Sequence, residues 1–123
     1  MVSLNFTTGK DKILDGSKQM TIRALRKRPF KVGDSLQLFS GLRTKNCEKL
    51  KEETCLYERK LTWGEINCSK YSHGLAILDG FIDYYSMADW FHETHHPLTR
   101  DREFQIVCWG EETKGKLERI FSD

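Results

Sequence analysis

The chain has 123 residues, 38% of them hydrophobic and 31% charged, with a formal net charge of +2. That length suits one domain spanning residues 1–123, and the composition excludes a disordered tail. No apolar run approaches the ~20 residues of a membrane helix, and MVSLNFTTGK lacks the pattern of a secretory signal, so a cytoplasmic protein with no membrane partner is expected.

SLNFTT alternates Leu4 and Phe6 inward, as a half-buried strand does. TGKDKILDG reads as a short helix, capped by Thr8, with Ile13 and Leu14 toward the core and Gly16 at its end. QMTIR is a strand by its β-branched pair, Thr21 and Ile22. In KVGDSLQLFSG a turn leads into a strand where Leu36 and Leu38 alternate with polar residues. TCLYERKLTWGEI alternates again, with Cys55, Tyr57, Arg59 and Leu61 on one side. GLAILDG is expected to be a short apolar strand or turn. SMADWFHETHH is the clearest helix, with Ser86 as cap, Met87, Trp90 and Phe91 as its apolar face, and Pro97 as its stop. REFQIVCWG closes the chain as a strand. The expected class is α+β: a small mixed β-barrel of five or six strands with two flanking helices.

Charge is unevenly spread. Residues 1–60 carry 14 Lys or Arg against 7 Asp or Glu, and residues 61–123 carry 6 against 11. The basic half suits a polyanionic partner unless folding intermixes the two halves. Cys47, Cys55, Cys68 and Cys108 include no C-x-x-C pair, so free thiols, mostly in strands, are expected rather than a metal site. HETHH, residues 92–96, satisfies the H-E-x-x-H pattern of zinc peptidases. Its second His precedes Pro97, however, and a residue before proline is pushed out of helical geometry. No metal and no cofactor are expected.

The most informative stretch is GSKQMTIRALRKRP. From Lys18 to Lys31 there are six Lys or Arg and no acid. On a strand, Thr21 and Arg23 share a face, and Lys18 in the preceding turn reaches over it. A Thr hydroxyl needs a nearby base to act as a nucleophile, and a Lys beside a cation can serve. A carboxylate would complete such a set. Phosphate binding explains the same residues with less machinery, because Lys and Arg clusters hold phosphate more often than they do chemistry.

GSKQMTIR, then KVGDSLQLFSGLR, then LDGF ahead of SMADWF, and finally FQIVCW together resemble the ASCH domain family of the PUA-like superfamily. The shared pattern is G-x-K-x-x-T-x-R, a G-D turn into a strand, an acidic-Gly-Phe before a helix, and a closing strand. The resemblance implies a small barrel with a cleft beside the first element. It also implies a partner that is RNA or a modified nucleoside. Some small bacterial members are amidohydrolases that remove the acetyl group from acetylcytidine with a Lys, a Thr and a Glu; others have been assigned ribonuclease activity, or belong to transcription coactivators. The Lys and Thr carry over to Lys18 and Thr21, and the following Arg to Arg23. The acid falls at Asp79, or at Asp83 if the helix sets the alignment, and is one methylene shorter than the Glu. The chain also has extra residues around TKNCEKLKEETCLYERKLTW. The expected cleft is lined by Lys18, Thr21, Arg23, Arg43 and Asp79. In a non-catalytic RNA-binding module, Arg26, Lys27 and Arg28 would instead hold phosphates while Phe39 or Tyr57 stacks a base.

Overall fold

A computed structural model describes residues 2–122. Six strands and five helices follow in the order β1 (Val2–Phe6), α1 (Lys10–Asp15), β2 (Met20–Ala24), β3 (Ser35–Ser40), β4 (Glu48–Thr54), β5 (Tyr57–Thr62), α2 (Trp63–Ile66), α3 (Ser72–Leu78), α4 (Tyr84–Thr94), β6 (Glu103–Cys108) and α5 (Glu111–Ile120). The strands form two three-stranded sheets, β1-β3-β4 and β2-β6-β5. β1 runs parallel to β3, and the other pairings are antiparallel. The α+β class holds. The ladders form two separate sheets rather than a closed barrel, and five helices replace the expected two.

Three layers result. Leu4 and Phe6 of β1, Leu36 and Leu38 of β3, Ile13 of α1 and Val107 and Trp109 form the core between the sheets. On the far side of the second sheet, Met20, Ile22, Phe104, Ile106 and Cys108 meet Trp63, Ile66, Leu75, Met87, Phe91 and Leu117 from the helices. β6 is therefore buried on both faces, and its successive side chains enter opposite cores. Gln105 is its one polar interior residue and is fully used: its amide donates to Phe30 O and Glu58 and accepts from Phe30 N–H.

Several expectations about local structure are corrected. Thr8 does not cap α1; Gly9 does, in a left-handed conformation with no side-chain bond. Ile13 is buried but Leu14 is exposed, because a six-residue helix offers only a narrow stripe to the core. GLAILDG is the helix α3, not a strand. α4 starts two residues before Ser86, with Asp83 accepting Ser86 N–H at 2.8 Å as its cap. Cys55 packs in the inter-sheet core, whereas Tyr57 and Leu61 face the helices, so they do not share one side. All four cysteines are free thiols, but Cys47, Cys55 and Cys68 lie outside the strands, with Cys47 and Cys68 exposed, and Cys108 alone of the four lies in one.

Candidate active site

The chain enters the site through Gly16, which ends α1 at φ 83°, a left-handed turn that glycine adopts without cost. Lys18 N–H then bonds back to Lys12 O at 3.0 Å, so the turn into β2 is fixed before the strand begins. On β2, Met20 and Ile22 enter the helical core, which leaves Thr21 and Arg23 on the inter-sheet side. The 79–81 segment approaches from the other direction, and its geometry explains the LDGF motif. Gly80 N–H bonds to Ile77 O at 3.0 Å and Phe81 N–H to Ala76 O at 2.9 Å. With Gly80 at φ 90°, this is the Schellman arrangement that closes a helix. It turns Asp79 inward and leaves Phe81 beside the opening.

These elements enclose an open cleft of about 620 Å³, whose lining includes Phe6, Lys18, Thr21, Arg23, Asp79 and Phe81. Lys18 Nζ donates to the Asp79 backbone carbonyl at 2.8 Å and lies 3.0 Å from Asp79 Oδ1. The second contact is an ion pair rather than a hydrogen bond. Oδ1 is buried, and Lys18, Arg23 and the Ile22 backbone N–H oppose the cost of that burial without cancelling it. Lys12 Nζ holds the next carbonyl, Gly80 O, at 2.9 Å. Two lysines thus cover the carbonyl end of α3, where cations are favoured.

Burial pushes the Asp79 carboxyl up from its ordinary 3.8 to about 6, against the opposing pull of Lys18 and Arg23. Desolvation wins because the group has almost no access to water. Arg23 Nε donates to Thr21 Oγ1 at 3.1 Å and its Nη2 to Asn5 O at 2.7 Å, while the guanidinium lies 4.7 Å over the Phe6 ring. Burial pulls Arg23 down from its ordinary value and Asp79 pushes it back up. Thr21 Oγ1 therefore accepts from a cation, which favours loss of its own proton. Among the described residues Thr21 has no hydrogen bond to Lys18 or Asp79.

The other named residues go elsewhere. Asp83 is occupied as the cap of α4 and does not line the cleft. Arg26, Arg28 and Arg43 line a second groove of about 590 Å³ with Phe30, Lys31 and Leu42, and Lys27 is exposed between them. Arg43 thus belongs to the groove and not to the cleft, because the turn after β3 carries it away from β2. Phe39 is half-buried at the end of β3, and Tyr57 packs against the helical core. Neither lines the cleft or the groove, so neither is placed to stack a base there. Within HETHH, α4 ends at Thr94 and His95 is already extended, so His92 and His96 do not share a helical face. Among the described residues no cluster of three metal-ligating side chains occurs.

Asn5, Lys12, Phe81, Trp90 and Thr94 also line the cleft, and the sequence does not mark them as site residues. Phe81 stands in the LDGF element, which is the one signal that points to it, and Trp90 reads as part of the core face of its helix. Comparison of the chain with protein-family models, with curated proteins and with solved structures finds no match.

Proposed function

We propose that the cleft hydrolyses an amide on a modified nucleoside, with acetylcytidine as the leading substrate and an ASCH-type, PUA-like domain as the framework. The observation that carries this reading is the buried Asp79 carboxylate, held against Lys18 within the cleft that Thr21 lines. A desolvated carboxylate disfavours an anionic ligand, whereas a neutral nucleoside amide meets no such penalty. Perturbed acids in clefts are also where proton transfer is expected.

In the proposed reaction Thr21 Oγ attacks the acyl carbon and Arg23 stabilises the developing negative charge. Lys18 in its neutral form, having passed a proton to Asp79, takes the Thr21 proton and gives it to the departing exocyclic nitrogen as the C–N bond breaks. The raised proton affinity of Asp79 lowers the cost of that neutral pair. Water then cleaves the Thr21 ester and releases acetate. The deciding experiment measures acetylcytidine turnover by the wild type and Thr21→Ala. Loss of at least three orders of magnitude supports the nucleophile, and turnover unchanged in Thr21→Ala removes it.

A second reading has its own observation. Arg26, Arg28, Lys31 and Arg43 gather in the groove and, among the described residues, none forms an ion pair. Four cations against one acid, Asp34, on one face suit RNA phosphates. The groove takes Val2 and Ser3 from β1 while the cleft takes Asn5 and Phe6 from the same strand. Ser3 and Asn5 are ~7 Å apart along a strand, so RNA could lie along both. A salt titration of oligonucleotide binding to the wild type and to arginine variants of the groove tests this reading.

A further inference from the structure

We infer that Phe81 and Trp90 form a two-sided aromatic seat for a flat heterocyclic ring, so that the cleft selects a nucleobase over an aliphatic amide. The inference rests on the nucleoside-directed reading above, but not on turnover.

Three aromatic rings line the cleft: Phe6, Phe81 and Trp90. Phe6 is unavailable to a ligand. It is 4% exposed, packs edge-on against Trp109, and carries the Arg23 guanidinium at 4.7 Å and the Lys18 ammonium at 5.5 Å. Phe81 and Trp90 are each half-buried, with centroids 6.0 Å apart and planes inclined at 55°. Two rings at that angle make a corner. A flat ligand meets the face of one and the edge of the other, the pair geometries that aromatic quadrupoles favour.

Trp90 also differs from the other two tryptophans. Trp63 and Trp109 are 4% and 5% exposed and serve the two cores. Trp90 stands one helical turn before Thr94, and both line the cleft, while Met87 and Phe91 on the adjoining face are buried. Among the described residues the Trp90 indole N–H has no hydrogen-bond partner and is open to solvent. A ligand with ring acceptors can supply it. The seat is also close to the polar wall. Phe81 and Asp79 belong to one helix cap, and two residues span at most ~7 Å, so a ring seated on Phe81 brings an exocyclic amide toward Asp79 and Lys18.

Tryptophan emission, followed while cytidine is added, tests the seat without requiring chemistry. Cytidine should quench wild-type emission, and Trp90→Phe should lose that signal because the two remaining tryptophans are buried. By equilibrium dialysis, Trp90→Leu and Phe81→Leu should each weaken cytidine binding about tenfold, the scale of removing one stacking partner. Trp90→Phe should stay within about threefold. N-acetylglycinamide, an aliphatic amide, should produce no quench. Quenching that survives Trp90→Phe, Leu variants that bind as tightly as wild type, or equal quenching by N-acetylglycinamide would each overturn the seat. If both Leu variants fail to fold, the emission of Trp90→Phe decides alone. Cytidine quenching without acetylcytidine turnover keeps the seat and removes the hydrolase. Turnover with an unchanged KM in both Leu variants keeps the hydrolase and removes the seat.

Discussion

The cleft and the basic groove share strand β1 but treat charge in opposite ways. In the cleft every charged wall is committed: Lys18 to Asp79, Arg23 to Thr21, Asn5 and Phe6. In the groove, which also holds Asp34, Arg28, Lys31 and Arg43 face solvent, and Arg26 lies over the Phe30 ring at 4.8 Å. Paired, desolvated groups hold positions and shift proton affinities; hydrated cations supply long-range attraction that salt weakens. Under the proposed function the contrast suits one cavity to orientation and proton transfer and the other to electrostatic capture, although the same short basic stretch feeds both.

The largest expected effect tests whether the cleft acts as one unit. Lys18→Ala and Thr21→Ala should each lower acetylcytidine turnover by at least ~10³, and the double variant should be no worse than either alone, since a nucleophile and its base are not additive. Independent, multiplying effects would break the unit apart.

Asp79 comes next, and its sign is fixed by the direction of its shift. A carboxyl raised from 3.8 to about 6 binds more protons folded than unfolded between those values. Its penalty is therefore absent below about pH 4 and fully present above about pH 6. A shift of this size corresponds to on the order of 3 kcal/mol. Asp79→Asn should gain most on wild type above pH 6, and the difference should shrink as pH falls toward 4, as followed by urea unfolding across that range. A difference independent of pH would show that the carboxylate is better solvated than its burial implies. If the ionised form moves protons in catalysis, wild-type kcat/KM should also rise through about pH 6.

Gly80→Ala probes the cap that joins Asp79 to Phe81. Its φ of 90° disfavours any side chain, and a Cβ there would also meet Lys18 Cδ at 3.5 Å. A loss of about 1–2 kcal/mol in thermal or urea unfolding is expected, from the left-handed backbone alone. An unchanged midpoint would mean that the cap is not held in the left-handed form.

The groove should respond in the opposite manner. Arg26→Ala and Arg28→Ala should leave unfolding within about 0.5 kcal/mol, since neither anchors the fold. Each should flatten the salt dependence of single-stranded RNA binding by ~0.7 in log–log slope for every phosphate that the missing cation no longer neutralises. Arg43 is a special case. It sits at φ 68°, and Arg43→Gly removes a backbone strain of about 1 kcal/mol while deleting the cation. RNA affinity should therefore fall with no loss of stability. Slopes that stay constant across the Arg variants would dismiss the groove as a phosphate track.

Legibility in the sequence follows burial. β1, β3 and β6 are readable because one or both of their faces enter a core and leave an apolar pattern. β4, with EKLKEET, carries no such pattern: it is an edge strand with mostly polar side chains, held in place by its ladder with β3. α5 is hidden for a similar reason, since only Thr113 and Leu117 of its ten residues are buried. Its acidic first turn, Glu111 and Glu112, and its late Arg119 are the available signals. α3 reads as a strand or turn because seven residues of short apolar sequence fit a strand and a buried helix equally well.

The sequence by itself determined the α+β class, the neighbourhood of Lys18, Thr21 and Arg23 on one short segment, and the end of α1 at Gly16, because strand alternation and glycine conformation are local properties. Only the tertiary structure decided that Asp79, 61 residues from Lys18, is the acid that meets it, and that Asp83 is spent as a helix cap. It also decided that Arg43 faces another cavity and that Trp90 turns toward the cleft. Burial depth, proton affinity and cavity walls arise from segments distant in the chain, and packing alone sets which of them meet.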